Sequence, residues 1–389
     1  MKPSIRWGSG SIGVFPNTQT FLLGRLAVSA LWLGLVACGG VTPSLGRGAS
    51  DTAYVGVAVG LTNPERYTHV FDGVSLAFDS LNRIRPKGAP PLALRRAPSS
   101  ADSPVKIATA FRDDPSIVAV IGHTESDATI AAAPVYADRA HGGKDPVPVV
   151  TLAGANSVTL VSPWIYRVNV TIGEQGRVLA RYADSMGFKR AGILYRNEPS
   201  GKDFVTAFTE EFAKHGGVVV EHDPFTEDIW DYDAYAKRLV KNGAQVVAVA
   251  GNIPQGRAAI HALRAAGGQQ PVLSTNGPAP KDTGDFRGLH HIVLYSPDRP
   301  VAAEGASFAA IFRARYDVSA DHWAALGYDA AMLIGRAVHD VGPGRTAIHE
   351  WFGTIGKSRP PHPGVTGSIA FDQHRDPMDK KVLVAEVRR

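Results

Sequence analysis

From residue 54 onward, short apolar runs alternate with longer amphipathic stretches, and the alternation is run through twice. No other feature restricts the fold so much. Apolar runs this short, with helical patterns between them, belong to strands buried on both faces. A parallel sheet covered by helices provides that burial. In the first pass the strand-like runs are 54–59, 92–94, 118–121 and 147–152, with helical patterns over 69–82, 103–111 and 127–140. The pattern pauses at Trp164-Ile165-Tyr166-Arg167-Val168 and restarts. The second pass predicts helices over 174–186, 202–215, 233–242 and 254–266, and strands over 190–195, 218–221, 246–250, 272–275 and 291–294. Two long helices follow, 303–316 and 322–341, and 367–372 with 381–387 reads as a β-hairpin-like end.

The expected class is therefore α/β, with two lobes of parallel sheet flanked by helices and a cleft between them. Helices that return after the second pass make the lobes discontinuous. The first is expected over 52–168 plus 297–366, the second over 169–296 plus 367–389. In open α/β sheets ligands bind beyond the carboxyl ends of the strands, so two facing lobes can converge on one cleft.

The N-terminus reads as an address. Residues 1–37 carry Lys2, Arg6 and Arg25 and no acid, and 26–37 is an apolar stretch of signal-peptide length, too short for a membrane span. It ends in Leu35-Val36-Ala37-Cys38, which looks like a bacterial lipobox, and Cys38 is the only cysteine in the chain. Residues 1–37 are then a lipoprotein signal peptide, Cys38 the lipidation site and 38–51 a Gly/Ser/Pro-rich tether. The alternatives are an ordinary cleaved signal and an uncleaved anchor. Gly8-Ser9-Gly10-Ser11-Ile12-Gly13 matches a dinucleotide motif by spacing alone, because no strand precedes it.

Processing at Cys38 leaves roughly 350 residues, more than one ordinary core organises. The formal charge of +5 falls to about +2 once the three signal cations are gone. Lys and Arg are interleaved with acids, so no basic stripe for nucleic acid is present.

Several segments together resemble a family. They are Val120-Ile121-Gly122-His123-Thr124-Glu125-Ser126, Val149-Val150-Thr151-Leu152-Ala153-Gly154-Ala155-Asn156, and Tyr166-Arg167-Val168. Further carriers are Gly192-Ile193-Leu194-Tyr195 with Ser200-Gly201-Lys202, Gly243-Ala244-Gln245-Val246-Val247, Gly327-Tyr328-Asp329-Ala330, and Gly367-Ser368-Ile369-Ala370-Phe371-Asp372. In order and spacing the chain resembles the type I periplasmic binding proteins, in the leucine/isoleucine/valine-binding group of ABC-importer receptors. The resemblance covers essentially all of 52–389. It implies two Rossmann-like lobes joined by a hinge, closing on a small ligand that is handed to a membrane permease. A lipid anchor suits such a role, since tethering raises the local concentration of the receptor at its permease. The same fold also serves ligand-sensing receptors of signalling partners, which is the alternative reading.

The resemblance also implies a site. Ser126 stands where the family uses a serine hydroxyl and loop amides for the ligand carboxylate, and a helix start offers free N–H groups. It is equally placed to be an N-cap. Gly154, Ala155 and Asn156 match a loop that supplies backbone groups and a threonine hydroxyl; Ala155 has no hydroxyl, and Asn156 or Ser157 is the substitute. In the second lobe Ser200 and Asn252 replace tyrosines, and Asn276 replaces the glutamate that pairs with a ligand ammonium. An amide cannot neutralise a cation, so selection for an amino acid is expected to weaken. Glu125 and Asp127 are the acids nearest Ser126, and Tyr67 is a candidate to cap the ligand. The ligand class is an amino acid or another small carboxylated molecule.

No enzyme chemistry is expected. There is no G-x-S-x-G and no P-loop, His349-Glu350 lacks the second histidine of H-E-x-x-H, and His290-His291 reads as a pair on a strand edge. Neither a metal nor a cofactor is called for. Asn169-Val170-Thr171 matches a glycosylation sequon.

Overall fold

The apolar runs form two sheets, and the reason is visible strand by strand: alternate residues face two different helix layers. The computed structural model describes residues 51–60, 67–97, 103–226, 231–251, 253–275, 288–297 and 302–386, all within the compact unit Gly48–Arg389. The first sheet holds β1 (Ala53–Ala58), β2 (Leu92–Arg96), β3 (Ile117–Gly122), β4 (Val149–Thr151) and β5 (Ile165–Arg167) in the order β2-β1-β3-β4-β5, parallel throughout. Its helices are α1 (Thr68–Arg83), α2 (Pro104–Asp113) and α3 (Ser126–Tyr136). Val55, Val57, Ala119 and Ile121 pack on one side with α1, and Ala58, Val120 and Val149 on the other with α2 and α3.

The second sheet holds β6 (Arg190–Arg196), β7 (Val218–Phe225), β8 (Val246–Ala250), β9 (Val272–Ser274), β10 (Leu289–Val293) and β11 (Leu383–Glu386), in the order β11-β10-β9-β8-β6-β7. Leaving out β11, the order of the first sheet is repeated. Its helices are α4 (Ile172–Ser185), α5 (Pro199–Lys214), α6 (Asp233–Lys241) and α7 (Ile253–Ala265). Ile193, Ala248 and Leu273 face α4 and α5, while Leu194, Val247 and Val249 face α6 and α7. Thr171 caps α4 by accepting the Glu174 N–H at 3.1 Å.

Three late helices, α8 (Ala303–Tyr316), α9 (His322–Val341) and α10 (Arg345–Thr354), return to the first sheet. Asp321 caps α9 through the Ala324 N–H, 2.8 Å away. α9 lies so close to α1 that a Cβ on Gly73 would sit 2.0 Å from the Ala324 carbonyl oxygen. Burying a large apolar face fixes both helices; residues such as Val74, Phe78, Leu326 and Ile334 are fully covered or nearly so. The buried guanidinium of Arg345 holds α10 in place by donating to the carbonyls of Ile117 (2.9 Å) and Asp114 (2.8 Å).

Four expectations change. The pause at 164–168 contains a fifth strand, β5, whose three residues are too few and whose Arg167 too polar to show an apolar pattern. α10, ten residues that follow Gly342-Pro343-Gly344, is not among the expected helices. The end of the chain is not a hairpin: β11 pairs antiparallel with β10, while Ile369 and Phe371 make isolated bridges to His362 and Pro377. In consequence His290 and His291 lie on an inner strand between β9 and β11, and both are buried. The sequon asparagine is buried as well: Asn169 is 2% exposed, and its amide donates to the Leu152 carbonyl at 2.8 Å.

Candidate ligand-binding site

In a sheet ordered 2-1-3-4-5 the connections leave in opposite directions on either side of the gap between the first and third strands, and loops beyond that gap form a crevice. Here the gap lies between β1 and β3. Past their carboxyl ends come Gly60 and Tyr67 from one side, and His123 to Ser126 from the other. The loop after β4 is the next neighbour. Gly122 allows the sharp exit from β3: its φ is +122°, and a Cβ there would lie 2.1 Å from the Ala58 carbonyl oxygen.

These three loops are bonded to one another. The Gly60 N–H donates to the Thr124 hydroxyl at 2.6 Å, joining the β1 and β3 loops. The Ala155 N–H donates to the Ser126 hydroxyl at 3.1 Å, joining the β3 and β4 loops. A Cβ on Gly60 would meet Glu125 Oε1 at 2.5 Å and the Tyr67 ring at 2.7 Å, so Glu125 and Tyr67 belong to the same corner. Tyr67 is 3% exposed, its ring standing edge-on to Trp323 with centroids 4.7 Å apart.

Ser126 does not cap its own helix. Glu125 occupies the N-cap position, Ser126 is the first helical residue, and its oxygen takes the Ala155 N–H. That hydrogen bond uses the oxygen as acceptor and leaves its proton available to an outside group.

The backbone of 153–156 can be accounted for group by group. The Ala153 N–H goes to Thr151 Oγ1 (3.1 Å), that of Ala155 to Ser126, and that of Asn156 to Asp203 Oδ2 on α5 (2.9 Å). The Gly154 N–H has no partner among the described residues. The Gly154 carbonyl accepts the Ile172 N–H at 2.7 Å, and the Asn156 side-chain oxygen accepts the Gly173 N–H at 3.2 Å, both from the start of α4. Asn156 therefore spends its side-chain oxygen on α4. The donors left at this corner are the Ser126 hydroxyl, the Gly154 N–H and the first-turn amides of α3, which have no intrahelical acceptor. Three such groups, close to a helix N-terminus, make a place for an anion.

His123, at the start of the β3 loop, stiffens it from below. Its carbonyl accepts from Thr151 Oγ1 at 3.0 Å, and its ring faces the Tyr136 hydroxyl, 3.2 Å from Nε2. Burial lowers its pKa to about 4, so the ring is neutral at physiological pH.

On the second sheet the equivalent gap lies between β6 and β8. Ser200 follows β6 in the first turn of α5, and its hydroxyl donates to Glu198 at 2.6 Å; Glu198 is paired in turn with Arg196 at 2.9 Å. Gly251 begins the segment after β8, and its carbonyl accepts from Thr275 Oγ1 at 2.7 Å. Asn252, Asn276 and Cys38 lie outside the described residues.

Three site-forming side chains were missed in the sequence. Asp203 sits inside a helical pattern and shows no local sign of its role. Arg167 and Asp376 did leave a signal, since a charge in an apolar run such as Ile165-Tyr166-Arg167-Val168 must be paired if it is buried. Arg167 is 0% exposed, and its Nε donates to Asp376 Oδ1 at 2.7 Å.

Residues 98–388 match the family model described as periplasmic binding protein. The chain belongs to this family, as a type I solute-binding protein of the leucine/isoleucine/valine-binding group. Its family and fold are those of receptors, not of enzymes. A Brucella melitensis Leu/Ile/Val-binding protein homolog 3 is 28% identical over 145 residues, 34% of this chain and 39% of that relative. A Pseudomonas aeruginosa amino acid binding protein is 23% identical over 242 residues, 59% of this chain and 63% of that one. Each match thus spans less than two thirds of the relative's own length. Among solved structures, a leucine binding protein LivK from Thermotoga maritima superposes with a TM-score of 0.76 at 22% identity, over 87% of this chain and 96% of that one. An ABC transporter solute binding protein from Rhodopseudomonas palustris, in complex with 3,4-dihydroxybenzoic acid, gives 0.73 at 20% identity, over 87% and 94%.

Proposed function

We propose that this protein is an extracytoplasmic receptor, anchored by lipid on Cys38, that closes on a small carboxylate and delivers it to an ABC importer. The observation that carries the ligand class is the donor set at the first switch point: the Ser126 hydroxyl, the Gly154 N–H and the free amides at the start of α3. A carboxylate, with two oxygens that only accept, is the small group suited to several such donors. Leucine and 3,4-dihydroxybenzoic acid, named for two structural likenesses, differ in almost everything except that group.

We read the lobes as 52–168 with 297–366 and 169–296 with 367–389. In this reading Ser126 and Gly154 hold the carboxylate end from the first lobe, and Ala155 and Asn156 shape the loop beside them through their bonds to Ser126, Asp203 and α4. Glu125 and Tyr67 border it, and Ser200, Asn252 and Asn276 line the second lobe. With an asparagine at 276, Glu125 and Asp127, on either side of Ser126 in sequence, are the acids assigned to a ligand ammonium group.

The test is calorimetric titration of the protein lacking residues 1–37 with L-leucine, L-phenylalanine, benzoate and 4-hydroxybenzoate, alongside the corresponding amides. Binding of an acid and not of its amide is expected. Equal binding of an acid and its amide would sink the carboxylate reading. For the anchor, Cys38→Ser should move the full-length protein from the membrane to the soluble fraction with affinity unchanged. Import is tested by uptake of the bound acid in a deletion strain; unchanged uptake argues against it.

A further inference from the structure

The proposed ligand loop owes its shape to one side chain that is out of reach of any ligand. Arg167 ends β5, is 0% exposed, and directs its guanidinium into the concave side of the 153–159 segment. Nη1 donates to the carbonyls of Ala155 (2.8 Å) and Ala153 (3.2 Å), and Nη2 to the Thr159 hydroxyl at 3.4 Å. The same fork is held from behind by Asp376, whose Oδ1 takes the Nε–H at 2.7 Å and the Thr159 hydroxyl at 3.1 Å. Asp376 is itself placed by a turn: its N–H donates to Asp372 Oδ1 at 2.9 Å. The neighbouring Arg375 carbonyl accepts the Arg167 N–H at 3.1 Å.

We infer that Arg167, fixed by Asp376, is a positioning residue for ligand binding: it sets the direction in which the Gly154 N–H and the Ser126 hydroxyl are presented. The inference rests on the reading of that loop as the carboxylate site. The geometry gives the reason. Ala153 O shares its peptide unit with the Gly154 N–H, and Ala155 O shares its own with the Asn156 N–H, so one guanidinium fixes both units from the rear. The Gly154 N–H is then held on the opposite side, and the Ala155 N–H that engages Ser126 lies in the unit between the two, whose Gly154 carbonyl accepts the Ile172 N–H. A planar fork with five donors can bind two carbonyls, a hydroxyl and a carboxylate together, which an ammonium on a flexible stem cannot do in the same geometry. Asp376 belongs to the segment that leads back from the first sheet to β11, so the loop is tied to that crossing as well as to its own strand.

The test uses Asp376→Ala and Arg167→Lys in the protein lacking residues 1–37, read by amide hydrogen exchange and by titration with the tightest binder among L-leucine, L-phenylalanine, benzoate and 4-hydroxybenzoate. In the ligand-free protein, both variants should exchange the amides of 153–159 at least tenfold faster, the scale of a lost charge-assisted hydrogen bond, with α1 and α9 unchanged. Affinity should fall about tenfold for the same reason. Ser126→Ala added to either variant should cost less than it does alone, because its contact is already misdirected. Asp376→Glu, which keeps the acceptor, should restore part of both. If Arg167→Lys does not fold, Asp376→Ala decides alone, since Asp376 lies at the rim of the cluster. Unchanged loop exchange in Asp376→Ala overturns the inference, as do strictly multiplicative effects of the two substitutions. Undiminished binding by Ser126→Ala, with loop exchange still accelerated in the Asp376 variant, overturns the ligand reading instead.

Discussion

The Asp203 carboxylate, on a helix of the second sheet, accepts the Asn156 N–H from a loop of the first sheet at 2.9 Å. Asn156 opens a single turn of 3-10 helix, so the acid also faces the positive end of that turn. Asp203→Ala leaves a half-buried N–H unpaired and should lower stability by about 1–2 kcal/mol in urea unfolding. Asp203→Asn retains an acceptor and should lose less than half as much. Equal losses in the two variants would mean that the charge, and not the hydrogen bond, matters.

Ser126→Ala removes both the proton donor proposed for the ligand and the acceptor of the Ala155 N–H. Its affinity for the bound carboxylate should drop by about 1.5–3 kcal/mol, the range for a hydrogen bond to a charged group. Stability should fall by a smaller amount, through the Ala155 N–H. Titration and unfolding on the same preparations separate the two.

Acid should weaken the fold at two buried histidines. Burial pushes His123 and His362 down to about 4, with Arg336 also pressing on His362. The unfolded chain takes up these protons near pH 6.5 while the native one does not, so stability is complete above about 6.5 and is lost as pH falls towards 4. At 1.36 kcal/mol per unit the limit is about 3 kcal/mol for each ring. Unfolding free energies measured between pH 7.5 and 4.5 should fall, and His123→Gln should show the shallower slope.

Lys380 joins two of the chain's crossings between the sheets. Its stem is partly exposed, but its ammonium end is buried, donates to the Val168 carbonyl at 2.7 Å and faces the buried Asp329. Burial lowers its pKa to about 8, with Asp329 acting in the opposite direction. Asp329 meanwhile accepts the N–H groups of Val365 (2.7 Å) and Thr366 (3.0 Å). Lys380→Met should cost about 1–3 kcal/mol at neutral pH, because it leaves the Val168 carbonyl without its donor and removes the cation facing Asp329. Adding Asp329→Asn should recover much of the loss; no recovery would show that the two groups are independent.

Period and run length made the class of fold legible. Six-residue apolar runs such as 117–122 cannot be satisfied in a half-exposed strand, and the end of α9 falls where amphipathic pattern stops. Ser126 and Gly154–Asn156 are marked by the family resemblance, and they stand directly after such runs, where a parallel sheet opens its crevice. β5, β11 and α10 could not. They are short or weakly patterned, and their stability comes from partners distant in sequence, as when Leu383–Glu386 closes the edge beside β10. The same holds for the site. The sequence determined which loops stand beyond the strand ends, because local pattern fixes those ends. Tertiary structure alone decided which polar groups those loops leave free. Arg167, Asp203 and Asp376 take several of them from 8 to more than 200 residues away, and a hydrogen bond takes its partner from space, not from order along the chain.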